Sequence, residues 1–131
     1  MKLKNFIILC ATLATGIALM AQGTTKNVLF IGNSYTDVNN LPWLVQQVAQ
    51  DMGDELTYES NTPGGCTFSQ HCTNNSMTMI QQGGWDVVVL QEQSQLPSFP
   101  PSQVENECFP YAARLVDSVY ANGDCTEPPT R

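Results

Sequence analysis

Apolar and polar positions recur with different periods along this chain, and each period predicts an element. Val28 to Ile31 are four consecutive apolar residues cut off by Gly32-Asn33, the pattern of a strand buried on both faces of a parallel sheet. Leu41, Leu44, Val45, Val48, Ala49 and Met52 recur at helical spacing, with Pro42 in the first turn and Gly53 as the stop. Glu55 to Glu59 alternate polar and apolar, as an edge strand with one wet face does. Asp86 to Leu90 return to the buried pattern. Ala112, Leu115, Val116, Val119 and Tyr120 mark a last helix, entered at or before Pro110 and ended near Gly123. Trp43 and Trp85 are read as core residues.

The resulting order is strand, helix, strand, loop, strand, helix, with no repeat and no interdomain linker. It predicts one α/β domain. Placing the alternating strand at the edge gives the strand order 2-1-3. The carboxyl ends of the two apolar strands then meet at a topological switch point, where open α/β sheets bind ligands. Three segments converge there: Gly32-Asn33-Ser34, the Gly64-Gly65 turn, and Gln91 to Ser94.

The first residues read as an address. Lys2 and Lys4 precede an uncharged apolar run from Phe6 to about Met20, with small residues at Ala18 and Ala21, as in a secretory signal peptide. Residues 1–21 are assigned to the signal and 22–131 to the domain. A retained anchor is disfavoured because the run is short for a spanning helix, and Cys10, preceded by Ile-Ile-Leu, is a poor lipid-attachment site. The expected location is secreted or periplasmic, with no membrane contact after cleavage.

Without the signal, three cations (Lys26, Arg114, Arg131) face twelve acids, a net charge of −9. Such a surface repels nucleic-acid phosphates and anionic lipid. Cys66, Cys72, Cys108 and Cys125 remain. An even number in an exported chain favours two disulfides; of the three pairings, Cys66–Cys72 with Cys108–Cys125 joins the nearest neighbours in sequence. With no Cys-x-x-Cys pair and no His-rich spacing, no metal or cofactor is expected.

A serine just after a buried strand and a sharp turn is well placed as a nucleophile, since the unpaired N–H groups of the following helix face whatever its hydroxyl attacks. The plain alternative is a turn and helix cap, for which Asn and Ser are both suited. With its strand and the downstream segments, the chain resembles the SGNH (GDSL-like) hydrolases over roughly Lys26 to Tyr120. Gly32-Asn33-Ser34 is similar to the family's first block, Gly-Asp-Ser. Gly65, in Thr-Pro-Gly-Gly-Cys-Thr, is similar to the second-block glycine. Val-Val-Val-Leu-Gln-Glu-Gln-Ser stands where the third block, Gly-x-Asn-Asp, follows its strand.

The resemblance implies a three-layer flavodoxin-like parallel sheet with helices on both faces. It makes Ser34 the nucleophile and Gly65 an oxyanion donor; Gln93 takes the place of the family's oxyanion-binding asparagine and Gln91 that of its glycine. The implied activity is a serine esterase or deacylase, and its leading substrate an acetylated carbohydrate or other small ester.

Two departures stand out. Asn33 replaces the usual aspartate, and the family's Asp-x-x-His segment has no counterpart. Only three strands are visible where that fold has about five, so the expectation is a chain truncated at its C-terminus. His71, the one histidine, is the candidate substitute base; its alternative is a loop histidine contacting solvent or substrate. Glu92 is read first as a structural hydrogen-bond acceptor, Asp37 as a solvated loop acid. Against the esterase stand an inactive fragment or glycan-binding module that keeps the crevice without the base, and a purely structural exported domain. Oligomeric state is left open.

Overall fold

The computed structural model describes residues 23–123. The signal-peptide assignment, Cys10 and Cys125 lie outside them. Three parallel strands, β1 (Thr25–Ile31), β2 (Glu55–Asn61) and β3 (Val87–Leu90), form a sheet of order β2-β1-β3. This is the 2-1-3 arrangement read from strand character. The fold is α/β, a parallel sheet flanked by helices, compatible with a flavodoxin-like architecture.

The first crossover is α1 (Ser34–Asp37) and α2 (Leu41–Asp51), joined by a 3₁₀ turn at Val38–Asn40. The second is α3 (Phe68–His71) and α4 (Asn75–Gln82); α5 (Pro101–Glu107) and α6 (Phe109–Asn122) follow β3. From β1 the chain steps to one side and then back across to the other, so right-handed crossovers put α2 and α4 on opposite faces.

Alternation along β1 divides the core. Leu29 and Ile31 are wholly buried in a cluster with Phe68, Cys72, Met79, Ile80, Leu96, Cys108 and Leu115. Trp85 packs against this cluster and donates its indole N–H to the Met79 carbonyl at 2.8 Å. Val28 and Phe30 face the other side, where Phe30 meets the Tyr58 ring edge-on at 6.2 Å between centroids. There α2 packs against β2, and Gln46 donates to the Leu56 carbonyl at 2.7 Å. The α2 helix stops as expected: Gly53 takes φ +90°, and its N–H bonds to the Gln50 carbonyl.

Several expectations are corrected. The segment read as a loop between β2 and β3 contains α3 and α4, and α5 was also missed. Each of α3 and α4 begins with a side-chain cap, Thr67 in a capping box with Gln70, and Asn74 accepting from the Ser76 N–H; such caps stabilise helices with little apolar periodicity. β3 is not buried on both faces. It pairs only with β1 among the described residues, leaving Val87 46% exposed and Val88 to Leu90 half-buried.

The apolar stripe of α2 is likewise uncovered, with Leu41, Leu44, Val45, Val48 and Met52 all exposed, and Trp43 lies at the surface beside them. Cys66 and Cys72 are buried free thiols rather than a disulfide, and Cys108 has no disulfide partner among the described residues, its expected partner Cys125 lying outside them. Cys66 and Cys72 sit at opposite ends of α3, Cys66 hydrogen-bonded just before its start and Cys72 at its far end facing the Tyr111 carbonyl.

Candidate active-site crevice

Three loops leave the carboxyl ends of the strands, and hydrogen bonds bind them to one another. Gly32 follows β1 and donates its N–H to the Asn61 carbonyl at the end of β2. Gly32 does not adopt a positive φ; it is required for a different reason. A Cβ there would lie 2.6 Å from Thr36 Oγ1 and 2.7 Å from Gln91 Oε1, so any side chain at this position must displace Thr36 or Gln91 from the bonds they make.

Asn33, next in the chain, is 1% exposed and uses all of its polar groups. Its Oδ1 accepts from the Tyr35 N–H as the N-cap of α1 (3.2 Å), and its Nδ2 donates to the Cys66 carbonyl (3.0 Å). Its own N–H donates to Gln91 Oε1, also at 3.0 Å. Gln91 Oε1 also accepts from Thr36 Oγ1 at 3.0 Å, and its Nε2 donates to the Glu92 carbonyl. The Asn33 side chain thereby joins the β1 turn to the Gly64-Gly65-Cys66 turn through its donor and caps α1 through its acceptor, while its backbone N–H makes the link to the β3 loop.

Ser34 sits at the first position of α1, exposed to solvent, and its hydroxyl forms no hydrogen bond among the described residues. Gly65 is exposed at φ +68°, a conformation for which glycine is suited. Neither the Ser34 nor the Gly65 N–H has a partner among the described residues.

The glutamines are placed differently. Gln91 is consumed as the clamp just described and offers nothing to an oxyanion. Gln93 Oε1 accepts from the N–H groups of Gln95 and Leu96, capping the 3₁₀ turn at Leu96–Ser98, and its Nε2 makes no bond among the described residues. Glu92 is a structural acceptor, taking the N–H groups of Phe68 (3.0 Å) and Gln93 (2.6 Å) on Oε1. Asp37 is exposed, with one long bond from Thr62.

His71 does not face Ser34. It is fully buried at the end of α3, with Nε2 2.8 Å from the Gly32 carbonyl and Nδ1 2.8 Å from Ser76 Oγ. A carbonyl only accepts, so Nε2 carries the proton and Nδ1 is the acceptor. Ser76 therefore donates its hydroxyl proton to Nδ1 and accepts from Asn61 Nδ2 at 2.8 Å. Asn74 Nδ2 also approaches Nδ1, at 3.3 Å.

Burial holds the His71 pKa below its usual value, opposed by the hydrogen bonds to Gly32 and Asn74. With both nitrogens occupied in a neutral ring, His71 has no lone pair to offer Ser34, and the substitute-base assignment fails on this geometry. The network Gly32–His71–Ser76–Asn61 instead ties the β1 turn to β2, α3 and α4. Sequence reasoning missed Asn61 and Ser76 altogether; a polar Asn-Asn-Ser stretch beside the histidine was the available signal.

Burial also pushes the thiols of Cys66, Cys72 and Cys108 up, and the Glu92 charge adds to this. Raised thiols are poor nucleophiles and poor metal ligands. Among the described residues no group of three or more His, Cys, Asp or Glu side chains is placed to hold a metal ion. No helix among them is long and apolar enough to cross a membrane. Comparison of the chain with protein-family models, curated proteins and solved structures gives no match.

Proposed function

We propose that this chain carries the nucleophile and oxyanion side of an ester-hydrolase site of SGNH type, with Ser34 as the attacking group. The observation that carries the proposal is the double clamp of Asn33 onto Cys66 and Gln91. It spends buried polar groups to hold three loops together while leaving the adjacent Ser34 hydroxyl exposed and unbonded. In this reading the Ser34 hydroxyl adds to an ester carbonyl, and the Ser34 and Gly65 N–H groups face the developing oxyanion, with Gln93 Nε2 as a third donor. Preorganised donors of this kind are the largest single contribution in many acyl transfers. Collapse of the adduct expels the alcohol and leaves an acyl-serine, which water then cleaves. The substrate class proposed is an acylated carbohydrate or other small ester.

A serine hydroxyl needs a base to remove its proton, and His71 is not free to serve. His71 is therefore not the base in this reading, and the residue that takes the Ser34 proton is left open. The same observation favours a second reading, a crevice that binds an ester-bearing ligand without turning it over. Hydrolysis of a small acetyl ester by the full chain, beside Ser34→Ala, separates them. Turnover that vanishes in the variant supports the esterase. A folded chain that binds the ester, with no turnover above the buffer blank, supports the second reading.

A further inference from the structure

The peptide unit between Gly32 and Asn33, which leads into Ser34, is held at both ends. Its carbonyl oxygen accepts from His71 Nε2 at 2.8 Å, and its N–H donates to Gln91 Oε1 at 3.0 Å. The unit is planar and trans, so these two groups point in opposite directions, and a partner on each side fixes the rotation of the plane. The imidazole is itself held from behind. Its Nδ1 accepts from the Ser76 hydroxyl at 2.8 Å, and Ser76 Oγ accepts from Asn61 Nδ2 at 2.8 Å. His71 and Ser76 are both fully buried. An apolar side chain would fill this space without demanding partners; only a ring with a donor at one end and an acceptor at the other spans Ser76 and the Gly32 carbonyl.

We propose that His71 is a positioning residue for Ser34: its Nε2–H orients the Gly32–Asn33 peptide unit, and it does so only while the ring is neutral. The inference rests on the reading of Ser34 as a nucleophile. If the plane turns, the Asn33 N–H leaves Gln91, and the start of α1 moves relative to Gly65. The charge dependence follows from the partners of Nδ1. Protonation puts an N–H there, facing the Ser76 hydroxyl and, at 3.3 Å, the Asn74 amide nitrogen. The Ser76 proton then loses its acceptor, and Asn74 sets one donor against another. The ring is rigid, so a shift at Nδ1 carries Nε2 away from Gly32. Glu92, from the β3 loop, is the charged group whose field reaches the ring, and it favours the cation; burial outweighs it. Cys66, before α3, is held as the thiol. Asn61 from β2, Asn74 and Ser76 at the start of α4, and Gly32 carry no charge. The turn is therefore clamped at neutral pH and released on acidification.

The test compares two substitutions in the full chain. His71→Gln places an amide N–H where Nε2 stands; His71→Asn, one methylene shorter, reaches only the Nδ1 position and leaves the Gly32 carbonyl without its donor. The first readout is hydrogen exchange of the Asn33 N–H by NMR, measured relative to the amides of β1. In His71→Asn it is expected to quicken about fivefold or more, as the loss of one hydrogen bond implies, and in His71→Gln to stay near the natural rate. A merely structural role would raise exchange at Asn33 and in β1 alike. The second readout is the rate at which a small organophosphonate labels Ser34, expected to fall in His71→Asn and to be rescued in His71→Gln. In the natural chain the Asn33 amide signal should also follow the His71 ring titration, with a midpoint below 6.5, and lose that step in His71→Gln. Exchange at Asn33 that rises no more than in β1, labelling of His71→Asn at the natural rate, or an Asn33 signal that ignores the ring titration overturns the proposal. If the natural chain takes no label, the nucleophile reading of Ser34 fails, and the exchange pattern decides the clamp by itself. If His71→Asn fails to fold, the ring tautomer and the titration of the Asn33 signal decide, and a ring with its proton on Nδ1 overturns the proposal.

Discussion

At the scale of single residues, the site is organised by close approach and by polar groups that leave no remainder. Gly32→Ala must move Thr36 or Gln91, because its new methyl group would sit under 3 Å from both. We expect it to cost about 1–3 kcal/mol. Ser34→Ala, one position beyond the Asn33 clamp and exposed, should stay within about 0.5 kcal/mol of the natural chain. Urea unfolding of the two variants measures the contrast, and equal destabilisation would contradict the clamp. His71 supplies a pH dependence with a definite sign. Its native pKa is held below the unfolded value, so between the two the unfolded chain binds the extra proton and stability falls as pH falls below about 6.5. The same unfolding midpoint should drop on acidification through that window, and the drop should be shallower in His71→Gln. Asp54 and Asp86, whose pKa values are lowered mainly by hydrogen bonds from the Thr24 and Asn27 backbone N–H groups, act in a separate and lower range, near about pH 4 and below.

At the scale of elements, periodicity revealed what is long and left hidden what is short. The β1 pattern, the α2 stripe and the α6 stripe each span enough residues to fix a period, and the strand order followed from contrasting the apolar β1 with the alternating β2. The α3 and α4 helices have four and eight residues, too few for a clear stripe, and side-chain caps rather than apolar faces define where they begin. Burial was less legible than identity. The α2 stripe was read correctly as helical, but Trp43 on the same helix was read as core and lies at the surface, because a periodic face shows that a surface is apolar without showing what covers it. A consequence can be measured. Val48 and Met52 are 60% and 78% exposed, so Val48→Gln and Met52→Gln should change stability by less than about 0.5 kcal/mol. Leu29→Ala, wholly buried in β1, should cost about 2–5 kcal/mol. A large loss in the α2 variants would mean that the stripe is buried in solution.

At the scale of the whole molecule, the sheet order accounts for where chemistry can occur. Placing β1 between β2 and β3 brings the three following loops to one edge, and the Asn33, Gln91 and Cys66 bonds fasten them there. The convergence of Ser34, Gly65 and the β3 loop could be read from strand character, because it depends only on order and direction. The roles within the crevice could not. Gln91 and His71 have the residue types of an oxyanion donor and a base, yet the fold uses both to hold its turns, and a sequence does not show which partner a polar side chain will find first. The acid-rich surface argues against phosphate-bearing partners for the same crevice. The most direct measurement of the central claim is labelling of the folded full chain by a small organophosphonate, with the modified peptide located by mass spectrometry. Attack by the serine oxygen on phosphorus expels the leaving group and leaves a stable adduct, so labelling needs an activated hydroxyl but no second step. A single adduct on Ser34, absent in Ser34→Ala, is expected; a folded chain that takes no label, or takes it at another residue, rules out Ser34 as the nucleophile.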